Sequence, residues 1–288
     1  MRALNNLAAM DIALPSTAVR RPTALAPLRI GITHLWRHHR LCNLSRPTRF
    51  NELVQYRKLH DRNLLLPTLA DKLTVKPYVA DRLGPEWVIP TLWHGTELPD
   101  TPLWPHAFVV KSRHGCNQTA FVRFPTDSWH QVQRRSRRWM RRDYGFWLDE
   151  WLYTHIPRGL LVEPFVGTAD TLPIDYKLFV FHGRVEFIQV HLQRETRHRW
   201  IVFDRGWHRV SSPTADPDPP RPHSLSALID AAETLGRDFD FVRVDMYEVN
   251  LRPLFGEMTF YPGSGLGRFD PVSLDTRMGA CWLRRGLA

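Results

Sequence analysis

The chain has 288 residues, 43% of them hydrophobic and 11 of them tryptophan, enough for a buried core and too much for a disordered chain. Its apolar runs break well before the ~18 residues a membrane span requires, and the first residues hold no unbroken apolar stretch of the signal-peptide kind. A net charge of +10 points to an anionic partner, whether nucleotide, nucleic acid, anionic polymer or membrane surface, while Cys42, Cys116 and Cys281, widely spaced, read as reduced thiols of a cytoplasmic protein.

Residues 1–45 carry several prolines and little periodicity; an irregular extension with one short helix near 31–42 is expected. Residues 46–106 open with helical patterns at 49–62 and 67–83, stop at Gly84-Pro85 and continue as a loop-rich stretch. AFVVK reads as a strand ending on Lys111, followed by the polar segment SRHGCNQT and a second strand, AFVRF. From 127 to 153 apolar and aromatic residues recur near a 3.5-residue spacing, which predicts one long helix or two. LLVEPFVG (160–167) predicts a buried strand, and 174–193 alternates about His182-Gly183 as a hairpin. A strand near 200–204, a proline-rich surface loop at 211–222 and an amphipathic helix over 224–239, N-capped by Ser224, complete the middle of the chain.

The most informative residues lie beyond that helix. Asp245 in FVRVDMYEV and Glu257 in PLFGEMTFYPGSG sit in two strand-like runs joined tightly over Asn250 to Pro253. Adjacent antiparallel strands would bring the two acids together on one face. Close carboxylates repel unless they share a cation, and such oxygen ligands suit Mg²⁺ carrying substrate phosphates. Arg243, two residues before Asp245, points to the same face. A hairpin edge with solvated acids and one salt bridge fits the same residues. Arginine outnumbers lysine 34 to five, which singles out Lys58, Lys72, Lys76, Lys111 and Lys177. Lys111 and Lys177, each on a strand, have the compact ammonium that grips phosphate oxygens; ordinary surface lysines are the alternative.

Taken in order, the Lys111 strand and its polar loop, the EPFV strand, DYKLFVFHG (175–183), AAETLGRDFDFVRVDMYEV (231–249) and FGEMTFYPGSG (255–265) resemble the ATP-grasp fold. More narrowly, the chain from about 50 to 282 resembles the TupA-like ATP-grasp proteins, named for teichuronopeptide biosynthesis and found with glycosyltransferases in surface polysaccharide pathways. The resemblance implies an α+β fold that clamps ATP between two subdomains, here a lid over 107–167 and a core with the metal site over 168–288. It implies phosphate contacts from Lys111 and Lys177, a ribose hydroxyl on the Glu163 carboxylate, and adenine on the backbone of the hinge that includes Phe165 and Val166. Asp245 and Glu257 become Mg²⁺ ligands, and Arg243 steadies the transferring phosphoryl group. Thr259 stands where the last metal ligand is often Asn, and Gly115 is the one glycine of the phosphate-covering loop. His114 in that loop either touches a phosphate or is a turn residue.

Other constellations are weaker. His34, His38, His39 and Cys42 have zinc-like spacing without a second ligand pair, and Cys116 lacks an oriented His–Asp partner. The arginines between 134 and 142 form a solvated helix face or an anion-binding one. Asp71-Lys72 matches a pair in the family without a derivable role. The resulting expectation is an ATP-dependent carboxylate–amine ligase acting through an acyl phosphate, on small or polysaccharide-linked carboxylate and amine substrates. A sugar-hydroxyl kinase and a basic RNA- or polysaccharide-binding module with an inactive nucleotide fold are the alternatives.

Overall fold

A computed structural model describes residues 22–284, apart from 124–126, 168–170, 194 and 216. Its elements, in chain order, begin with four helices: α1 (Ala26–His38), α2 (Phe50–His60), α3 (Leu65–Ala70) and α4 (Val75–Leu83). Then come β1 (Trp93–Gly95), β2 (Phe108–Ser112), β3 (Thr119–Val122), α5 (Trp129–Arg141), α6 (Trp151–Thr154) and β4 (Leu160–Pro164). The remainder is β5 (Asp175–Phe181), β6 (Arg184–Leu192), β7 (Arg199–Asp204), α7 (Leu225–Gly236), β8 (Phe241–Val249), β9 (Arg252–Thr259) and α8 (Ser273–Leu283).

Two antiparallel sheets organise these elements: a four-stranded one in the order β1-β4-β2-β3 and a five-stranded one in the order β7-β6-β5-β8-β9. Both predicted hairpin turns form. His182 and Gly183 (φ 48° and 78°) join β5 to β6, and Asn250 and Leu251 (φ 51° and 62°) join β8 to β9, each as a two-residue turn with both φ values positive. β1 arises within the stretch expected to be loop and closes one edge of the first sheet on β4. α5 lays Val132 on that sheet against Phe108, Val110 and Leu160.

The two faces of the larger sheet are used differently. On one, Leu178, Val180, Val242 and Val244 lie under α7, and Gly236 approaches so closely that a Cβ there would stand 2.6 Å from Val180. On the other, alternation puts Asp175, Lys177, Phe179 and Phe181 of β5 beside Phe241, Arg243, Asp245 and Tyr247 of β8. One end of this face is aromatic: Phe50 of α2 packs edge-on against Phe179, Phe181 and Phe241, and Trp282 of α8 joins them. The other end is ionic. A single face therefore carries a core at one end and a charged cluster at the other.

Two expectations change and one is narrowed. The helix foreseen over 67–83 breaks at Asp71–Thr74 into α3 and α4, where the Asp71 side chain accepts from Leu73 N at 3.0 Å. Of the two forms foreseen for 127–153, the two-helix one is present, as α5 and the single turn α6. Ser224 does not cap α7 with its side chain; its hydroxyl donates to Glu248 Oε2 at 2.5 Å instead.

Candidate active site

The ionic end of the face is built by register. Asp245 stands opposite Lys177 on β5 and opposite Glu257 on β9. The Glu257 pairing depends on a bulge: beyond Asp245 the register slips by one, leaving Gly256 unpaired, and a Cβ at Gly256 would meet Asp245 O at 2.9 Å. Asp245, 2% exposed, is held by two cations. Its Oδ1 accepts from Arg243 Nε at 2.6 Å and its Oδ2 from Arg243 Nη2 at 2.7 Å, while Lys177 Nζ donates to Oδ2. Lys177 also reaches Asp175 Oδ2 at 2.8 Å. Burial works against the Lys177 charge, yet Asp175 and Asp245 outweigh it and hold its pKa above the ordinary lysine value. Arg243 is buried too, and Asp245 likewise holds its pKa above the ordinary value.

Glu257 is more open, its side chain 27% exposed, with Arg243 Nη2 at 3.6 Å and Lys72 Nζ at 3.7 Å. Thr259 Oγ1 accepts from Arg243 Nη2 at 3.2 Å and donates to Glu257 Oε1 at 3.3 Å, so its hydroxyl is engaged in orienting that carboxylate. Among the described residues no group of three His, Cys, Asp or Glu side chains gathers as a self-sufficient metal cage. The donor set here is all oxygen, two carboxylates from neighbouring strands, and that fits a hard cation which fills its remaining positions with phosphate oxygens and water.

A cavity of about 330 Å³ lies between the first sheet and the Tyr247 end of β8. Lys111, Phe121, Glu163, Phe165 and Val166 line it together with Tyr247. Tyr247 follows Asp245 on the same face of β8, so the cavity opens onto the strand that carries the ionic cluster. Glu163 lies inside, and its carboxylate, which the resemblance assigns to a ribose hydroxyl, is already held by two lysines. Its Oε2 accepts from Lys111 Nζ and its Oε1 from Lys76 Nζ, both at 2.6 Å. Burial would raise its pKa, but the two ammonium groups prevail and hold it below the ordinary carboxylate value. Lys76 is further fixed by Ile89 O at 2.8 Å and Thr91 Oγ1 at 2.6 Å. The Phe165 N–H donates to Ala107 O at 3.0 Å, and the residue lines the cavity.

The loop between β2 and β3 is where sequence reasoning missed most. The break between α3 and α4 presents Asp71 and Lys72 to it. Asp71 takes the Arg113 guanidinium with both oxygens, and Lys72 Nζ donates to Gly115 O at 2.7 Å while facing Glu257. Gly115 lies against the Gln118 side chain, whose flexible Oε1 end a Cβ there would meet at 2.5 Å. His114 turns away from the ionic cluster: its buried ring meets Trp139 O and Gly159 N, each at 3.4 Å, and burial lowers its pKa. The turn-residue alternative describes it better than the phosphate contact. Cys116 is bonded to Tyr153 Oη at 3.3 Å, and burial raises its thiol pKa, the opposite of an activated nucleophile. The signal for Asp71 and Lys72 was present as a scarce lysine, but only the helix break aims it.

The histidines of α1 serve packing as well. The His34 and His38 rings lie 4.4 Å apart, tilted by 38°; His34 bonds Arg40 O at 3.1 Å, burial lowering its pKa to about 4, and His38 bonds Gly265 O at 3.2 Å. Lys58 is fully buried, donating to Ser264 O at 2.8 Å, Ser264 Oγ at 2.6 Å and Gln55 Oε1 at 3.0 Å; burial pushes it down to about 8. It fixes the segment that follows β9.

Two antiparallel sheets, a cavity between them and a carboxylate pair flanked by Lys177 and Arg243 make this an α+β protein of the ATP-grasp fold. The model of the TupA-like ATP-grasp family matches residues 52–283, and the chain belongs to that family. No curated protein matches the sequence. Among solved structures, a D-alanine–D-alanine ligase from Bacillus anthracis complexed with ATP is similar at 12% identity and a TM-score of 0.46, over 74% of this chain and 61% of that one. The ATP-grasp ligase PsnB complexed with a minimal precursor is similar at 8% identity and 0.42, over 76% and 62%. An L-amino acid ligase from Bacillus licheniformis is similar at 12% and 0.43, over 75% and 49%. The chain thus spans less than two thirds of each of these proteins.

Proposed function

We propose that this protein is an ATP-dependent carboxylate–amine ligase that works through an acyl phosphate. The observation that carries this reading is the Asp245–Glu257 pair, set by the Gly256 bulge beside Lys177 and Arg243 and next to the cavity. The nucleotide base would lie against Phe165, Val166 and Tyr247, with its phosphates running towards the cluster. Lys111 has three N–H donors, and among the described residues Glu163 takes one, leaving others for phosphate oxygens. Lys177 and Arg243 stay charged and pre-positioned, which suits a reaction catalysed chiefly by placement and charge neutralisation.

Asp245 and Glu257 would hold Mg²⁺, and Thr259 would set the angle of Glu257 rather than ligate. The ion, when bound, neutralises phosphate charge. Lys72 completes the arrangement by tying the Gly115 loop to the Glu257 side of the site. In the reaction, a carboxylate oxygen of the acceptor forms a bond to the γ-phosphorus as the bond to ADP breaks. An amine then attacks the carbonyl, forming the C–N bond; phosphate leaves and the amine loses a proton. The acceptors would be small or polysaccharide-linked carboxylates and amines of surface polysaccharide or peptide-polymer synthesis, alongside glycosyltransferases, as the family resemblance implies.

Hydroxylamine trapping tests the reaction. With a competent carboxylate, ATP should give ADP and phosphate, and hydroxylamine should yield the hydroxamate. A stable phosphorylated hydroxyl product with no hydroxamate would instead establish a kinase.

A further inference from the structure

Helix α1 is apolar on two opposite sides. Ala26, Ile30 and His34, four residues apart, face the body of the protein and are buried. Leu25, Leu28, Ile32, Leu35 and Trp36 fall on the opposite side of the helix and are 44–74% exposed. Phe146 and Trp147 are exposed as well, and the Arg29 guanidinium lies 5.6 Å from the Phe146 ring centre, which joins the two apolar areas. A helix that is apolar all round is ordinarily covered on both sides. Single exposed leucines need no explanation, but a row of five along one helix face does.

The charge beside the row says what covers it. At the Trp36 end, Arg37 donates to Leu266 O at 3.0 Å and Arg268 to Arg37 O at 2.6 Å. Among the described residues these partners, and the His39 ring 2.8 Å from Arg268 Nη2, bring no negative charge. The whole chain carries +10. A second copy laid on this face would set those arginines against their own kind. An anionic surface would be attracted instead, and an exposed row of Leu, Ile and Trp with arginine near its Trp36 end is the form of a helix that lies in a bilayer interface. Tryptophan favours that boundary, where its ring is half in hydrocarbon and half among headgroups.

We propose that the outer face of α1, extended by Phe146 and Trp147, docks this protein on an anionic membrane surface. The proposal is independent of the ligase reading, because neither α1 nor residues 146–147 belong to the carboxylate cluster.

The test is co-sedimentation of the full chain with phosphatidylcholine vesicles, with and without phosphatidylglycerol, and with the variant Leu28→Ser/Ile32→Ser/Trp36→Ser. These side chains are exposed, so the variant should unfold at the wild-type temperature and keep its response to Mg·ATP. Wild type should pellet with the anionic vesicles and not the neutral ones. The variant should bind on the order of tenfold more weakly or worse, since one apolar side chain withdrawn from lipid already accounts for that factor. Absence of binding to anionic vesicles overturns the proposal. So does undiminished binding by the variant, which would assign adhesion to the basic surface alone. A dimer in light scattering that the variant abolishes, without vesicle binding, would show a second copy to be the occupant and overturn it too.

Discussion

Asp245 and Glu257 are chemically alike and face each other, yet neutralising them should have unequal consequences for stability. Asp245 is 2% exposed and is the direct counter-charge of two buried cations, Lys177 and Arg243. Asp245→Asn keeps the shape but leaves both cations short of a negative partner. Breaking a buried pair in this way costs about 3–5 kcal/mol. At ~2–4 °C per kcal/mol for a chain of this size, Tm should fall by roughly 10 °C. Glu257, 27% exposed and more than 3.5 Å from its nearest cations, should lose under about 1 kcal/mol on change to Gln. Both variants should nevertheless abolish ATP turnover. Thermal unfolding without nucleotide, run beside an ADP-release assay, measures both effects. Two bare carboxylates would behave differently: neutralising either one would relieve repulsion and raise Tm. A stabilised Asp245→Asn, or equal losses from both substitutions, would refute the ion network described for this face.

Lys72→Met removes the tie to Gly115 O at 2.7 Å and should weaken Mg·ATP binding by ~10- to 100-fold, the equivalent of one charge-assisted hydrogen bond; calorimetric titration showing wild-type affinity would remove Lys72 from the site. Mg·ATP at a hundredfold excess over Kd should stabilise the fold by ~2.7 kcal/mol, and an unmoved unfolding temperature at millimolar nucleotide would contradict the proposed nucleotide site. The Glu163 pKa is depressed, so its ion pairs stabilise the fold above the unfolded carboxyl value of about 4.3 and cease to do so as pH falls through the lower folded value. Glu163→Gln should therefore lower Tm at neutral pH and flatten the acid limb of the Tm–pH curve; a variant curve parallel to wild type would show the clamp to be inert.

Much of the carboxylate cluster was legible because it is local. Arg243 and Asp245 share a strand face by a period of two, as do Glu257 and Thr259, and a short turn between two strands leaves little choice but an antiparallel pair. The paired lysines stood out by rarity and by their place on strands. Their partners did not. Besides the ligand roles that the resemblance implies, Lys177 stands between Asp175 and Asp245, and Glu163 between Lys76 and Lys111. An ammonium and a carboxylate that can reach each other will do so in a buried site, and a sequence pattern that assigns each separately to a ligand omits this.

What the sequence by itself determined is the alternation of the strands, their two-residue turns and hence which side chains share a face. The short range of those rules is why they suffice: side-chain direction in a strand depends on the backbone of that strand alone. Tertiary structure decided which charges neutralise which. Lys72 meets Gly115 across 43 residues of chain, and Lys177 meets Asp245 across 68. The break between α3 and α4 and the bulge at Gly256 set those meetings, and each becomes favourable only once the distant partner is in place. Coulomb attraction depends on distance in space and local dielectric, neither of which a linear pattern contains.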